Sequence, residues 1–250
     1  MPITSQRPDI TAQSRLGDCV AHYPALANWC LQNHLDFCCG GGRTLEAVAA
    51  DREMTPQSLV EAMTAAVETT ESRQGETLPR FGDDQAMELI EFILTRFHEV
   101  HRNQLDGLGT LSEKVARVHG EGHPEVLRIR QIVIEMTDEL TSHMAKEEMV
   151  LFPLMHRMMG EVPGSRGPGM LGMDPRMPMQ CMRREHDEAG DMIAEARKIT
   201  NQFQPPADAC TSFRALYALL EELERDLMLH IHLENNVLFP IFEKLADAAS

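Results

Sequence analysis

With 250 residues, of which 43% are hydrophobic, the chain can bury a full core, either as one large domain or as a main domain with a small companion. Its 23 lysines and arginines stand against 39 aspartates and glutamates, a formal charge of −16, which argues against nucleic acid and against an anionic membrane as partners. There is neither a run of about 18 apolar residues nor a basic start leading into an apolar stretch, and six cysteines, two of them adjacent, do not make a disulfide framework, so the expectation is a cytoplasmic protein with reduced thiols.

Residues 1–15 are polar. From Gly17 to about Val67, two or three short helical patterns are separated by Pro24, by Cys38-Cys39-Gly40-Gly41-Gly42 and by Thr55-Pro56, where threonine suits an N-cap and proline the first helical position. Residues 1–68 are expected to form a small helical domain with vicinal cysteines, small enough that a homodimer through it would help close its core. Residues 69–82 carry little periodicity and are expected to link it to a second domain, residues 83–250.

In that second domain, Asp83 or Asp84 is expected to cap a long amphipathic helix reaching about Val118, with Leu94, His98, His101 and Leu105 on one face. A second helix from about Pro124 carries Met136, Leu140, His143, Glu147, Val150 and Leu154 at spacings of three or four. Residues 160–178 are rich in glycine, proline and methionine and are expected to be a long loop; ten of the seventeen methionines fall between 144 and 182, which suits a segment packing flexibly on the helices better than a soft-metal site. A third helix near Gln180–Phe203 aligns Met182, His186, Ala189, Ile193 and Ala196. A fourth, about Cys210–Ala246, aligns Leu223, Leu227, His230, Glu234, Val237 and Ile241. The expected fold is all-α, a four-helix bundle with polar residues inside its apolar stripes.

Those polar residues repeat. His143-Met-Ala-Lys-Glu147-Glu-Met-Val-Leu-Phe-Pro153 and His230-Ile-His-Leu-Glu234-Asn-Asn-Val-Leu-Phe-Pro240 match at six positions, and a histidine lies 45 residues before the first copy (His98) and 44 before the second (His186). A single His-x-x-x-Glu on a helix is commonplace; two in-register copies, each with an equidistant upstream histidine, are specific. In each copy imidazole and carboxylate share one helical face, one turn apart. Six such groups in one core would each cost several kcal/mol by rough reckoning unless compensated. Two metal ions compensate them if each takes two histidines while Glu147 and Glu234 span both, and such nitrogen and oxygen ligation with open positions suits iron or manganese, iron foremost, better than closed tetrahedral zinc. His101 could be a further ligand, a hydrogen-bonding support or a satisfied core residue. His232 should point away from the site into solvent, and His119, His123 and His156 should be caps or surface groups. Glu148 and Glu185, each beside a ligand, are expected to tune it.

Taken together, Asp36-Phe37-Cys38-Cys39-Gly40-Gly41, Arg96-Phe97-His98-Glu99-Val100-His101-Arg102, Ser142-His143 through Glu148, Glu185-His186-Asp187-Glu188-Ala189-Gly190 and His230 through Pro240 resemble the iron–sulfur cluster repair di-iron proteins, which are hemerythrin-like. The resemblance spans about residues 17–243. It implies a hemerythrin-type up-down bundle with an oxo- and carboxylate-bridged pair of iron ions on His98, His143, Glu147, His186, His230 and Glu234, fused to a small cysteine-bearing domain. It also implies a role in restoring iron–sulfur clusters damaged by oxidative or nitrosative stress, with damaged iron–sulfur proteins as partners and iron donation as the means.

Binding or sensing of oxygen or nitric oxide, and reduction of nitric oxide at the same site, are the competing functions. The small number of histidines and the appended thiols favour repair, as iron donation more than conventional turnover. Cys38 and Cys39 are the candidate catalytic thiols. The three glycines after them should let the backbone bend and expose them, and a helix beginning near Thr44 should favour thiolate through its positive end. Such thiols would serve redox exchange, reaction with nitric oxide or transient metal transfer.

Overall fold

A computed structural model describes residues 8–71, 78–160 and 174–248. The middle of the expected linker, 72–77, and most of the expected long loop, 161–173, lie outside the described residues. Among the described residues the protein is all-α, and its only β feature is an isolated antiparallel bridge between Arg15 and Thr44. No helix among them is long and apolar enough to cross a membrane. By contacts, the chain divides into one compact unit of Met1–Ala86 with Ile231–Leu238 and another of Met87–His230 with Phe239–Ser250.

The first unit is built from α1 (Leu16–His22), α2 (Ala25–Gln32), α3 (Leu45–Asp51) and α4 (Pro56–Glu71), with a single 3₁₀ turn at Gly40–Gly42. Local chemistry sets these limits. Pro24 precedes α2, the Thr44 hydroxyl accepts the Ala47 N–H at 3.3 Å to cap α3, and the Thr55 hydroxyl accepts the Ser58 N–H at 3.2 Å at the head of α4. α4 runs to Glu71, past the expected start of the linker. The core of this unit comprises Leu16, Val20, Leu26, Cys30, Phe37, Leu45, Ala49, Leu59 and Met63.

The segment Ile231–Leu238 belongs to this core, with α1 packing on its turn at Glu234–Leu238. Its Asn236 amide donates to the carbonyls of Phe37 and Cys38, both at 3.2 Å. His232, expected in solvent, is 1% exposed and meets the Phe37 ring edge-on at 5.2 Å. Pointing away from His230 on this helix therefore means pointing into a second core. Burial pushes the His232 imidazole down to about 4.

The second unit is an up-down four-helix bundle. Its first helical run is α5 (Ala86–Ile93), a π turn at Leu94–His98 and α6 (Glu99–His119). The next is α7 (Glu125–Lys146), a π turn at Glu147–Leu151 and α8 (Phe152–Met158). α9 (Arg176–Ile199) follows, and the last run is α10 (Thr211–Leu233), a π turn at Glu234–Leu238 and α11 (Phe239–Ala248), of which Ile231–Leu238 counts with the first unit by its contacts. α9 begins inside the stretch expected to be loop; Pro178 is tolerated there because the N–H groups of a first turn have no intrahelical partner. α7 packs between α6 and α9, and α9 on α11. Leu108, Val115, Ile129, Val133, Met136, Ile193, Leu216, Leu220 and Leu223 form the apolar core.

The π turns interrupt three of four helices that the 3.6-residue period presents as continuous. Pro153 and Pro240, at matching positions of the repeat, supply a cause for two of them. Each lacks an N–H, and its ring would strike the carbonyl four residues back in an α-helix. Widening the turn relieves that clash: the Phe152 N–H bonds the Glu147 carbonyl, five residues earlier. The first π turn has the same pairing, Glu99 N–H to Leu94 carbonyl, without a proline. Each turn begins or ends on a candidate ligand, His98, Glu147 or Glu234, as π turns at functional positions often do.

Candidate metal centre

The first helical run brings His98 into the bundle, the second His143 and Glu147, α9 His186, and the last run His230 and Glu234. None of the six is more than 3% exposed. Donor atoms of His98, Glu147, His230 and Glu234 lie within 4.8 Å of one another, as do those of His143, Glu147, His186 and Glu234. The two glutamates are common to both groups, and the six residues chosen from the repeat are those brought together.

The distances within the groups suit metal ligands better than mutual hydrogen bonds. Glu147 presents Oε2 to His98 Nε2 and Oε1 to His143 Nε2, each at 3.3 Å. A charge-assisted N–H···O bond in a dry core would close to about 2.7–2.9 Å. Two donors that each stand about 2.1 Å from one ion are separated by roughly 3.0–3.4 Å at octahedral to tetrahedral angles. His143 Nε2 and His186 Nε2 are 3.2 Å apart, in the same range. One carboxylate with an oxygen for each of two histidine sets has the geometry of a bridge. The donor set, four imidazoles and two carboxylates in a buried space, therefore fits a pair of first-row ions.

Two outer carboxylates orient the imidazoles. His98 Nδ1 meets Glu148 Oε1 at 2.7 Å, and His143 Nδ1 meets Glu185 Oε2 at 3.0 Å. With Nδ1–H donated outward, the Nε2 lone pair of each faces the group. Glu148 also accepts from Arg102 at 2.6 Å, and Glu185 from Lys146 at 2.6 Å and from the Cys181 thiol at 3.3 Å. Burial pushes both carboxyls up, but the hydrogen bonds, from His98 and Arg102 to Glu148 and from Lys146, His143 and Cys181 to Glu185, outweigh it and hold both below the ordinary carboxylate value.

His101 is in neither group. Its ring lies 5.3 Å from that of His230, and its Nδ1 meets Gln104 Oε1 at 3.0 Å. The Gln104 amide donates to Asp226 Oδ2 at 2.8 Å, and Arg96 holds the other Asp226 oxygen at 3.1 Å. That chain leaves Nε2 of His101 buried without a hydrogen-bond partner. Burial, then the neighbouring His230, lowers the imidazole to about 3. The sequence pattern placed His101 on the ligand face but gave no sign of the Gln104–Asp226–Arg96 support. His119 and His123 sit in and beside the turn after α6, with His119 Nε2 at 3.2 Å from Cys210 Sγ and His123 contacting Glu125 and Asp208; His156, also half-buried, lies in α8.

A third group of candidate donors stands in the first unit: Asp36, Cys38 and Cys39. Two expectations for these thiols are overturned. Cys38 is only 6% exposed, with Cys39 half-buried, because Phe37 and Cys38 are tied down by Asn236. Nor is Cys38 disposed to be a thiolate. α3 does begin at Leu45 as expected, but the hydrogen bond with Cys39, burial and the Asp36 carboxylate together raise the Cys38 thiol well above its usual value of 9.0. Burial likewise pushes Cys19 up to about 11 and raises Cys30 further. None of the six cysteines is in a disulfide.

Comparison with known proteins adds two domain matches. Residues 90–242 match the model for the hemerythrin HHE cation binding domain, and residues 12–67 match a domain of unknown function, DUF542. Among curated relatives, the chain is 36% identical to a probable iron-sulfur cluster repair protein of Haemophilus influenzae, an alignment covering 92% of this chain and 96% of the relative. It is 37% identical to the iron-sulfur cluster repair protein YtfE of Cronobacter sakazakii, over 90% of this chain and 94% of the relative. With the protein of that name from Yersinia pseudotuberculosis it shares 38% identity, over 84% of this chain and 87% of the relative.

Proposed function

The chain belongs to the hemerythrin HHE cation-binding family, and on that premise we propose that it is a non-heme iron protein that repairs damaged iron–sulfur clusters by donating iron from its bundle. The observation that carries the reading is the pair of donor groups sharing Glu147 and Glu234, with the names of relatives that align over most of the chain as further support. The group that fits there is a pair of iron ions: His98 and His230 would hold one, His143 and His186 the other, and Glu147 and Glu234 would be shared between them. Bound there, the ions supply ferrous–ferric cycling and open positions for oxygen or nitric oxide.

The chain's own part is to hold and release. Glu148 and Glu185 fix the tautomers of His98 and His143 through Nδ1 and keep their Nε2 lone pairs toward the iron. Both sit beside solvent-reaching cations, Arg102 and Lys146, so protonation or displacement of either carboxylate would loosen an imidazole without unfolding a helix. The other party to the exchange is an iron–sulfur protein that has lost iron, in the cytoplasm. In this reading the N-terminal unit, whose α4 reaches Glu71, acts as an appended thiol-bearing domain, and a homodimer through it would sediment at twice the mass of one chain.

The direct test of function is anaerobic mixing of protein loaded with isotopically labelled ferrous iron and an apo or oxidant-damaged iron–sulfur protein. Label should move to the client as its cluster absorption returns. Retention of the label while the client stays inactive would contradict donation.

A further inference from the structure

We propose that Asp36, Cys38 and Cys39 form a second metal site, which takes one thiophilic divalent cation, ferrous iron or zinc, through two thiolates and a carboxylate. The site does not depend on the repair reading: its donors, its position in the chain and its test are all separate from the bundle's.

The donor atoms of the three residues lie within 4.8 Å of one another. The two sulfurs are 4.0 Å apart. Two thiolates that each stand about 2.3 Å from a common ion are separated by roughly 3.8–4.0 Å at tetrahedral to trigonal angles. Asp36 Oδ1 is 3.2 Å from Cys38 Sγ, so a carboxylate oxygen already occupies a neighbouring corner. An ion at the centre would meet all three donors after side-chain adjustments of a few tenths of an ångström, by rough geometry from the same bond lengths. Two sulfurs with one oxygen is a soft-to-borderline set that disfavours calcium and magnesium, which take oxygen ligands.

The loop is built before any ion arrives. The Asp36 carboxylate accepts the backbone N–H groups of Cys38 at 3.2 Å, Cys39 at 3.0 Å and Gly40 at 2.9 Å. Asn236 holds the carbonyls of Phe37 and Cys38 from the other side. Gly17 and Gly41 allow that approach, since a Cβ on either would stand 2.3 Å and 2.6 Å, respectively, from Asn236 Oδ1. Preorganisation of this kind lowers the ordering cost of binding. Asp36 is exposed and Cys39 half-buried, so the site opens on one side, where a fourth ligand from solvent or from a partner protein can enter.

Binding is an exchange of cation for protons. The Cys38 and Cys39 thiols each release a proton to solvent, two metal–sulfur bonds and one metal–oxygen bond form, and nothing is oxidised or reduced. The hydrogen bond from the Cys38 thiol to Asp36 is replaced by the ion that both then touch. Such a site would hold a cation in transit, because three donors and an open edge bind less permanently than a closed tetrahedral cage.

Cobalt(II) is the probe. Titrated anaerobically into the iron-loaded full chain, it should produce a near-ultraviolet sulfur-to-cobalt charge-transfer band, which the imidazole and carboxylate donors of the bundle cannot give. The band should saturate at one equivalent, be displaced by zinc, and vanish in the Cys38→Ser/Cys39→Ser variant while iron content and helical circular dichroism stay unchanged. Asp36→Asn should keep the band and weaken binding at least about tenfold. Should the buried Cys38→Ser change disturb folding, Cys39→Ser alone, at the more exposed thiol, must still abolish the two-thiolate band. Absence of the band in the parent chain overturns the site, as does its persistence in the double variant, which would put the metal on Cys181 or Cys210. A normal band beside failed iron transfer would instead count against the repair reading alone.

Discussion

The two copies of the repeated helical motif agree at the histidine, the glutamate and the Val-Leu-Phe-Pro that follows, and differ most where one copy meets solvent and the other a second core. Copy one, His143–Pro153, and copy two, His230–Pro240, both bury their histidine, glutamate, leucine and phenylalanine, and both open into a π turn at the glutamate. On the outward side Met149 of copy one is 78% exposed, whereas its counterpart Asn236 donates to Phe37 and Cys38. Ala145 is half-buried, whereas its counterpart His232 is buried against Phe37. The shared residues have one task in both copies, to carry ligands past a proline. The divergent residues answer to surroundings, solvent in one case and the core of the N-terminal unit in the other.

The largest effects should come from breaking what the copies share. Glu147→Ala and Glu234→Ala should each strip the iron, with metal analysis after gel filtration as the readout. On the proposed di-iron reading, either change would leave two cations facing each other with one bridge fewer; two unit charges 4 Å apart repel by about 4 kcal/mol at an effective dielectric of 20, and divalent ions by more. If one variant kept its iron and the other did not, the copies would not be equivalent. Next come the outer carboxylates. Glu148→Asn, which gives copy one the residue copy two has at that position, and Glu185→Ala should each lower iron affinity by about 10–100-fold, measured by chelator competition.

Smaller effects should expose the difference between the outward faces. Asn236→Met, which gives copy two the residue of copy one, leaves the Phe37 and Cys38 carbonyls without their donor and should cost about 1–3 kcal/mol in denaturant unfolding. The reciprocal Met149→Asn, on an exposed position, should stay within about 0.5 kcal/mol of the parent. Equal costs for the two would mean that the outward faces are not distinguished by what covers them.

These comparisons also mark how far the sequence is legible. His98, His143, Glu147, His186, His230 and Glu234 stand out because helical spacing and a repeat both select them, and burying that many polar groups is costly without a reason. The four long helices follow from the same period. Their π turns do not, since one extra residue per turn leaves the apolar pattern nearly intact; the signal present is Leu-Phe-Pro at the same place in both copies. His232 is buried rather than solvated: a period locates a side chain relative to its own helix and says nothing of what packs on the far side. For Cys38, the positive end of α3 is one local influence, whereas the hydrogen bond with Cys39, burial and the Asp36 carboxylate, none of them legible in a helical period, all act in the opposite direction. Asp36 itself carried no periodic signal, and only the folded turn puts its oxygen beside the sulfurs.

The proposed di-iron centre rests on two donor groups that share Glu147 and Glu234. Anomalous diffraction from crystals of iron-loaded protein, collected on either side of the iron absorption edge, tests it most directly. Two iron peaks are expected, one between His98 and His230, the other between His143 and His186, each in contact with Glu147 and Glu234. A single peak, or a signal that appears only at the zinc edge, would contradict the account.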